Sequence, residues 1–205
     1  MIETGLHALV ALLVILDPPG TAAIFMAMTP GMAAAERRRQ AIRAVVISFC
    51  VLLLFVLVGG PLLRAMGISI PAMQVAGGLL LFLMAADMVM GRHMLRTSPG
   101  EEEAATQQAD ISVFPLAIPL IAGPGSITSL VLLRQQAGDD MAEFAVLMAA
   151  LLVALGAMLA ALLGAAQVTR VLGATGTNVA GRVLGVLLAG LAAQFTMDGL
   201  RQAFG

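Results

Sequence analysis

Inside the first long apolar run of this chain stands Asp17-Pro18-Pro19-Gly20, and inside the fourth stands Ala122-Gly123-Pro124-Gly125. No α-helix passes through either unchanged, because proline removes a backbone donor and its ring clashes with the preceding turn. The runs are long enough to cross a bilayer, at about 20 residues per transmembrane helix. The sequence therefore demands two spans that break where no water can satisfy freed backbone groups. Such breaks are tolerated at depth only when buried in protein or facing a cavity.

Six candidate spans emerge, near residues 5–28, 41–63, 70–91, 111–133, 142–166 and 179–200. Composition agrees, with 60% of the 205 residues hydrophobic and only 11% charged, against about 25% charged in soluble domains. A water-soluble globular domain is excluded, and the connections 29–40, 63–69, 92–110, 134–141 and 167–178 leave no room for an extramembrane one. Only 92–110 is hydrophilic enough to link two halves, carrying Thr97-Ser98-Pro99-Gly100-Glu101-Glu102-Glu103. The expected fold is an all-α integral membrane protein. Residues 1–91 form a first three-helix unit, 92–110 a cytoplasmic linker and 111–205 a second three-helix unit.

Charge and cysteine exclude several partners. Eleven basic residues, all arginine, against 12 acidic ones give a net charge of −1, so no polybasic face awaits nucleic acid. Cys50 is the only cysteine, and His7 and His93 have no neighbour at metal-ligand spacing, so neither metal nor cofactor is expected. The start, Met1-Ile2-Glu3-Thr4, lacks a positive n-region, and the first segment reads as a retained membrane span rather than a cleaved signal. Placing both termini outside puts Arg37, Arg38, Arg39, Arg43, Arg92, Arg96, Arg170 and Arg182 in the cytoplasm, against Arg64, Arg134 and Arg201 outside, as the arginine bias of cytoplasmic loops requires.

The two halves also align with each other. Pro19-Gly20-Thr21 matches Pro124-Gly125-Ser126 at an offset of 105. At an offset of 107, Gly78, Leu80, Leu81, Ala85, Ala86 and Met90 recur as Gly185, Leu187, Leu188, Ala192, Ala193 and Met197. Three spans per half is an odd number, so the second copy enters the membrane from the opposite side. That is the inverted repeat of many secondary transporters.

Twelve residues from Gly5 to Leu16 rise about 18 Å, which sets Asp17 past the middle of a ~30 Å hydrocarbon layer. An ionisable group there costs at least ~2.5 kcal/mol and calls for a function. Asp17 is read as an acceptor for a substrate ammonium or a proton carrier, a role compatible with capping the next half-helix. New half-helices are expected to begin at Thr21 and Ser126, whose free N–H groups would favour an anionic group. The expected substrate site is Asp17, Pro18, Pro19, Gly20 and Thr21 with Gly123, Pro124, Gly125, Ser126 and Thr128. Asp87 and Gln194, at matching positions of the two halves, join Asp17 as candidates for proton coupling.

Taken in order, Asp17-Pro18-Pro19-Gly20, Gly67-Ile68-Ser69-Ile70-Pro71-Ala72 with Val75-Ala76-Gly77-Gly78, Pro115-Leu116-Ala117-Ile118-Pro119 with Ala122-Gly123-Pro124-Gly125, and Gln194-Phe195 with Asp198-Gly199 resemble the MarC family over residues 5–202. The resemblance implies a six-span bacterial or archaeal inner-membrane protein, similar to that family's transporters of small neutral amino acids. One position departs: where the family's first motif continues with asparagine, this chain has Thr21, a shorter side chain without an amide.

The leading expectation is thus a secondary transporter of small neutral amino acids or similar carboxylate-bearing metabolites, with amino acid and lipid as partners and homo-oligomerisation left open. Two other classes compete. A membrane scaffold or regulator that transports nothing would need the breaks only for stability. An intramembrane hydrolase would use Asp17 and Asp87 as a carboxylate pair, but they lie at different depths and neither follows a glycine in a Gly-Asp motif, so no enzyme is expected.

Overall fold

The computed structural model describes residues 2–90, 110–138 and 140–204. Those residues are mainly helical, in the order α1 (Ile2–Leu16), α2 (Pro18–Met28), α3 (Ala34–Ala65), α4 (Ile70–Met90), a wide-turned Ser112–Ile121 segment, α5 (Pro124–Gln136), α6 (Met141–Leu163) and α7 (Ala165–Phe204). Five helices are long and apolar enough to cross a membrane. The Ser112–Ile121 segment and α5, meeting at 54°, make the sixth as a bent pair. Most of the expected linker, 91–109, lies outside the described residues.

Several boundaries differ from the sequence reading. The second span begins at Ala34, so Glu36 to Gln40 are helical rather than connection; Glu36 favours the positive end of the helix dipole in its first turn. The last connection is also largely wound into α7, interrupted at Gly173 (φ 62°, ψ 177°), a backbone conformation glycine adopts without cost. Charged and polar residues at a helix end above the hydrocarbon do not stop the helix, which is why charge marked these ends too early.

Contacts at the helix ends sort the chain onto two faces. On one face, Arg37 donates to the hydroxyl and carbonyl of Thr29, at 3.2 and 3.1 Å, closing the α2–α3 turn. There Gln40 accepts the Ile111 N–H at 2.8 Å and Arg43 pairs with Asp110 at 3.1 Å. The Asp110 carboxyl is held below the usual carboxylate range, first by hydrogen bonds from Ser112 and then by Arg43 and Arg39. On the other face, Thr4 and His7 share a small cleft with Gln136 and Glu143, and Pro71 lies against Gly199. The two ends of the described chain therefore emerge on the same face.

Helices α4 and α7 form the central crossing, and their contacts are reciprocal. A Cβ at Gly78 would stand 2.8 Å from the Ala192 carbonyl oxygen and 2.9 Å from the Thr196 nitrogen. One at Gly185 would stand 3.1 Å from the Ala85 carbonyl oxygen and 3.0 Å from Val89. The early part of each helix thus meets the late part of the other, so the two run antiparallel with bare glycines at both close approaches. Around this crossing Val14, Ile15, Leu81, Leu132 and Leu188 make one buried cluster, while a larger one joins α1, α2, α3, the Ser112–Ile121 segment and α6. Leu54, Leu57, Leu79, Phe82, Leu152 and Leu187 face outward, more than half exposed, as a lipid-facing surface must.

Gly78→Val should lower the thermal unfolding midpoint in detergent, at a cost of about 1–3 kcal/mol for overpacking against backbone. Gly190→Ala, where a Cβ meets open space, should not lower it, since alanine favours a helix interior over glycine.

Candidate functional site

Pro18 and Pro19 carry no N–H, so the turn leaving α1 cannot be completed by the backbone. The chain resolves this at one residue: Asp17 takes a left-handed conformation (φ 47°, ψ 68°) and its Oδ1 accepts the Gly20 N–H at 3.1 Å. Backbone bonding resumes immediately, with Asp17 N–H donating to Leu13 and Thr21 N–H to the Asp17 carbonyl. The first break is therefore narrow, and Thr4–Met28 keeps the length of one 25-residue span.

The second break is built differently. Phe114 and Ile118 are extended, at φ −129° for both, as residues before proline prefer. Amide bonds there skip five residues instead of four, Leu116 to Ile111 at 3.2 Å and Ala122 to Ala117 at 2.8 Å. At the N-cap of α5 stands Gly123, in extended backbone with no side-chain cap. Pro124 follows at the first helical position, where its missing N–H costs nothing.

One device is common to both. The Thr21 hydroxyl donates to the Leu16 carbonyl at 3.0 Å, and the Ser126 hydroxyl to the Ile121 carbonyl at 2.8 Å. Each bond reaches back five residues, and the pairs superpose at the offset of 105 that aligned the two motifs. Ser126 also reaches the Gly123 carbonyl at 3.0 Å. Each break thus leaves a main-chain carbonyl that a hydroxyl one turn on satisfies inside the protein.

This geometry corrects the expected helix starts. The half-helices begin at Pro18 and Pro124, not at Thr21 and Ser126. In the first turn of α2 every N–H is either missing, at the two prolines, or already bonded within the turn, so no amide cradle for an anion forms there. An anionic group would in addition meet the Asp17 carboxylate. The uncapped start of α5 at Gly125 and Ser126 is the one of the two breaks that suits an anion.

The polar side chains among the expected residues are closed off from solvent. Asp17 is 2% exposed, Thr21 0%, and Ser126 and Thr128 3% each; Gly123 and Gly125 are buried, Pro18, Pro19 and Gly20 half-buried, and Pro124 exposed. Both breaks border the same buried cluster, which holds Leu16 and Ala22 from one and Ile121 and Ala122 from the other. Thr128 packs its methyl group into the space left by Gly77 on α4.

Asp87 and Gln194 are not brought together. Gln194 lies in the stretch of α7 beside Gly78, nine residues and about 14 Å along α4 from Asp87, and it donates to Asp198 at 2.8 Å. Matching positions of two antiparallel helices stand at opposite ends of the crossing, so the shared offset does not place these two side chains together. Two buried groups were missed: among the described residues, Gln74 Oε1 on α4 and Ser129 Oγ on α5 have no hydrogen-bond partner, a state that costs about 1–3 kcal/mol each. A glutamine inside an apolar span was a visible signal, whereas a serine in a Ser-Ile-Thr-Ser run was not.

The fold and the breaks define a polytopic helical membrane protein, and the sequence comparisons give its family. Residues 2–204 match the model of the MarC family, described as an integral membrane protein family; the chain belongs to it. Relatives include a UPF0056 membrane protein of Archaeoglobus fulgidus, 36% identical over 93% of this chain and 89% of its own. Another, from Methanocaldococcus jannaschii, is 37% identical over 92% of each chain. The UPF0056 inner membrane protein YhgN of Escherichia coli is 32% identical over 96% of this chain and 95% of its own. No solved structure matches significantly.

Thr21→Val should cost about 1–3 kcal/mol of stability by leaving the buried Leu16 carbonyl unsatisfied, and Thr21→Ser should restore most of it. Thermal unfolding of both variants in one detergent measures the difference.

Proposed function

We propose that this protein is a secondary transporter of small neutral amino acids or closely similar carboxylate-bearing metabolites, and not an enzyme. The observation that carries the reading is the pair of breaks. Two spans at matching positions are interrupted near mid-membrane, and the hydroxyls of Thr21 and Ser126 close the same five-residue loop in each. The antiparallel, reciprocal crossing of α4 and α7 supports taking residues 1–91 and 111–205 as inverted repeats joined by the 92–110 linker. Such repeats allow one half to rock against the other around a fixed site.

Asp17 faces the ammonium of the substrate, and the amides of Gly125 and Ser126 at the uncapped, positive end of α5 receive its carboxylate. Thr21, in place of the usual family asparagine, leaves a shorter polar wall and favours a small side chain. The closed state of Asp17, Thr21 and Ser126 suits a carrier occluded between its two openings. Asp17 is the sole carboxylate at either break among the described residues, so it is also the group to carry a coupled proton. The arginine-rich face of α3, with Arg37, Arg38, Arg39 and Arg43, is assigned to the cytoplasm, leaving both termini outside.

Counterflow of labelled glycine or alanine into preloaded proteoliposomes tests the reading. An Asp17→Asn variant keeps a side-chain oxygen to cap Gly20, since asparagine and aspartate cap equally well. It should therefore fold as wild type yet lose about 10- to 100-fold in flux, as expected when a charge-assisted bond goes. Wild-type flux in the folded variant, or no flux of any amino acid in the native protein, would contradict the proposal.

A further inference from the structure

We infer that the cleft between the C-terminal ends of α3 and α5 is a binding site for a phosphate-bearing anion, supplied by the headgroup of a membrane lipid or by a soluble phosphate ester. The cleft has a volume of about 380 Å³ and is lined by Leu57, Gly60, Arg64, Arg134, Gln135 and Gly138 among others. Among the described residues neither arginine has a carboxylate partner, whereas Arg39, Arg43 and Arg201 each do. Two guanidinium groups on one cleft with no carboxylate partner among the described residues leave a demand for an anion, and planar guanidinium suits phosphate.

The donors are positioned for it. Arg134 is fixed from two sides, donating to the Gly138 carbonyl and lying 5.1 Å over the Phe144 ring, a cation–π contact that holds the head in place. Gly60 has no side chain, and the space at its missing Cβ is taken by the Gln135 amide nitrogen, with Arg64 Nη1 at 3.9 Å. The amide and the second guanidinium therefore converge over one bare backbone position. A cation at a helix C-terminus also answers the helix dipole, which accounts for each arginine singly but not for both facing one cleft.

The position indicates where the anion comes from. Leu57 is 56% exposed and lines the cleft, and Leu62 and Met66 beside it are 44% and 64% exposed. The arginines therefore sit where the apolar outer surface of α3 ends, the depth of lipid phosphates. Anionic headgroups are attracted to arginine at that level.

Thermal unfolding of the purified full chain in neutral detergent tests the site, with added phosphatidylglycerol, phosphatidylcholine or soluble glycerol 3-phosphate. Phosphatidylglycerol should raise the midpoint by several degrees, as a ligand of the folded state does, and phosphatidylcholine by much less. Arg64 makes no side-chain hydrogen bond to the described residues that its removal would break, so Arg64→Gln should fold and lose at least half of the shift. Arg39→Gln, on the opposite face, should keep it. An equal shift with glycerol 3-phosphate would support the site and assign it to a soluble ester. A shift that Arg64→Gln leaves whole, or no shift with either anion, would overturn the inference.

Discussion

A main-chain carbonyl freed inside a bilayer must find a donor within the protein, and in this chain the donor is a hydroxyl one turn further on. Thr21 satisfies Leu16 and Ser126 satisfies Ile121. Everything near mid-membrane follows from that pair. The prolines stop the helix, the hydroxyls make the stop tolerable, and each break gives a helix start inside a span. The requirement that no polar backbone group be left facing lipid also explains why the bonded carbonyls of both breaks belong to buried residues at one packed cluster.

The two solutions are not identical, and the difference bears on function. The first break closes on itself, with a left-handed Asp17 capping Gly20 and prolines occupying the other donor positions of the turn. It presents the Asp17 carboxyl group. The second opens wide, through turns that skip five residues, and starts α5 with no side-chain cap. It presents the positive end of a dipole. The two breaks therefore differ in polarity, and in the transport proposal that difference holds a zwitterion.

Much of this was legible in the sequence because proline and glycine act locally. The interruptions at Asp17-Pro18-Pro19 and Gly123-Pro124 and the long apolar runs could be read directly, since each depends on residues close together in the chain. The start of α3 at Ala34 could not, because Glu36 to Gln40 read as loop by charge yet wind as helix above the hydrocarbon. Nor could the loss of the amide cradle at α2, which depends on where Asp17 directs its oxygen. The Asp87–Gln194 correspondence says nothing of contact for a geometric reason: equal positions in antiparallel helices are far apart. Gly78 and Gly185 aligned in sequence, but their role as reciprocal close approaches at one crossing needed coordinates.

On the transport proposal, the two breaks enclose a site reached alternately from either side of the membrane. Accessibility of that site is read by labelling Ser126→Cys, in a Cys50→Ser background, with a membrane-impermeant thiol reagent applied to right-side-out and to inverted vesicles. Labelling from both sides, slowed in each by glycine or alanine, is the expected result. Labelling from one side only, or from both at a rate that small amino acids leave unchanged, would contradict alternating access at the breaks.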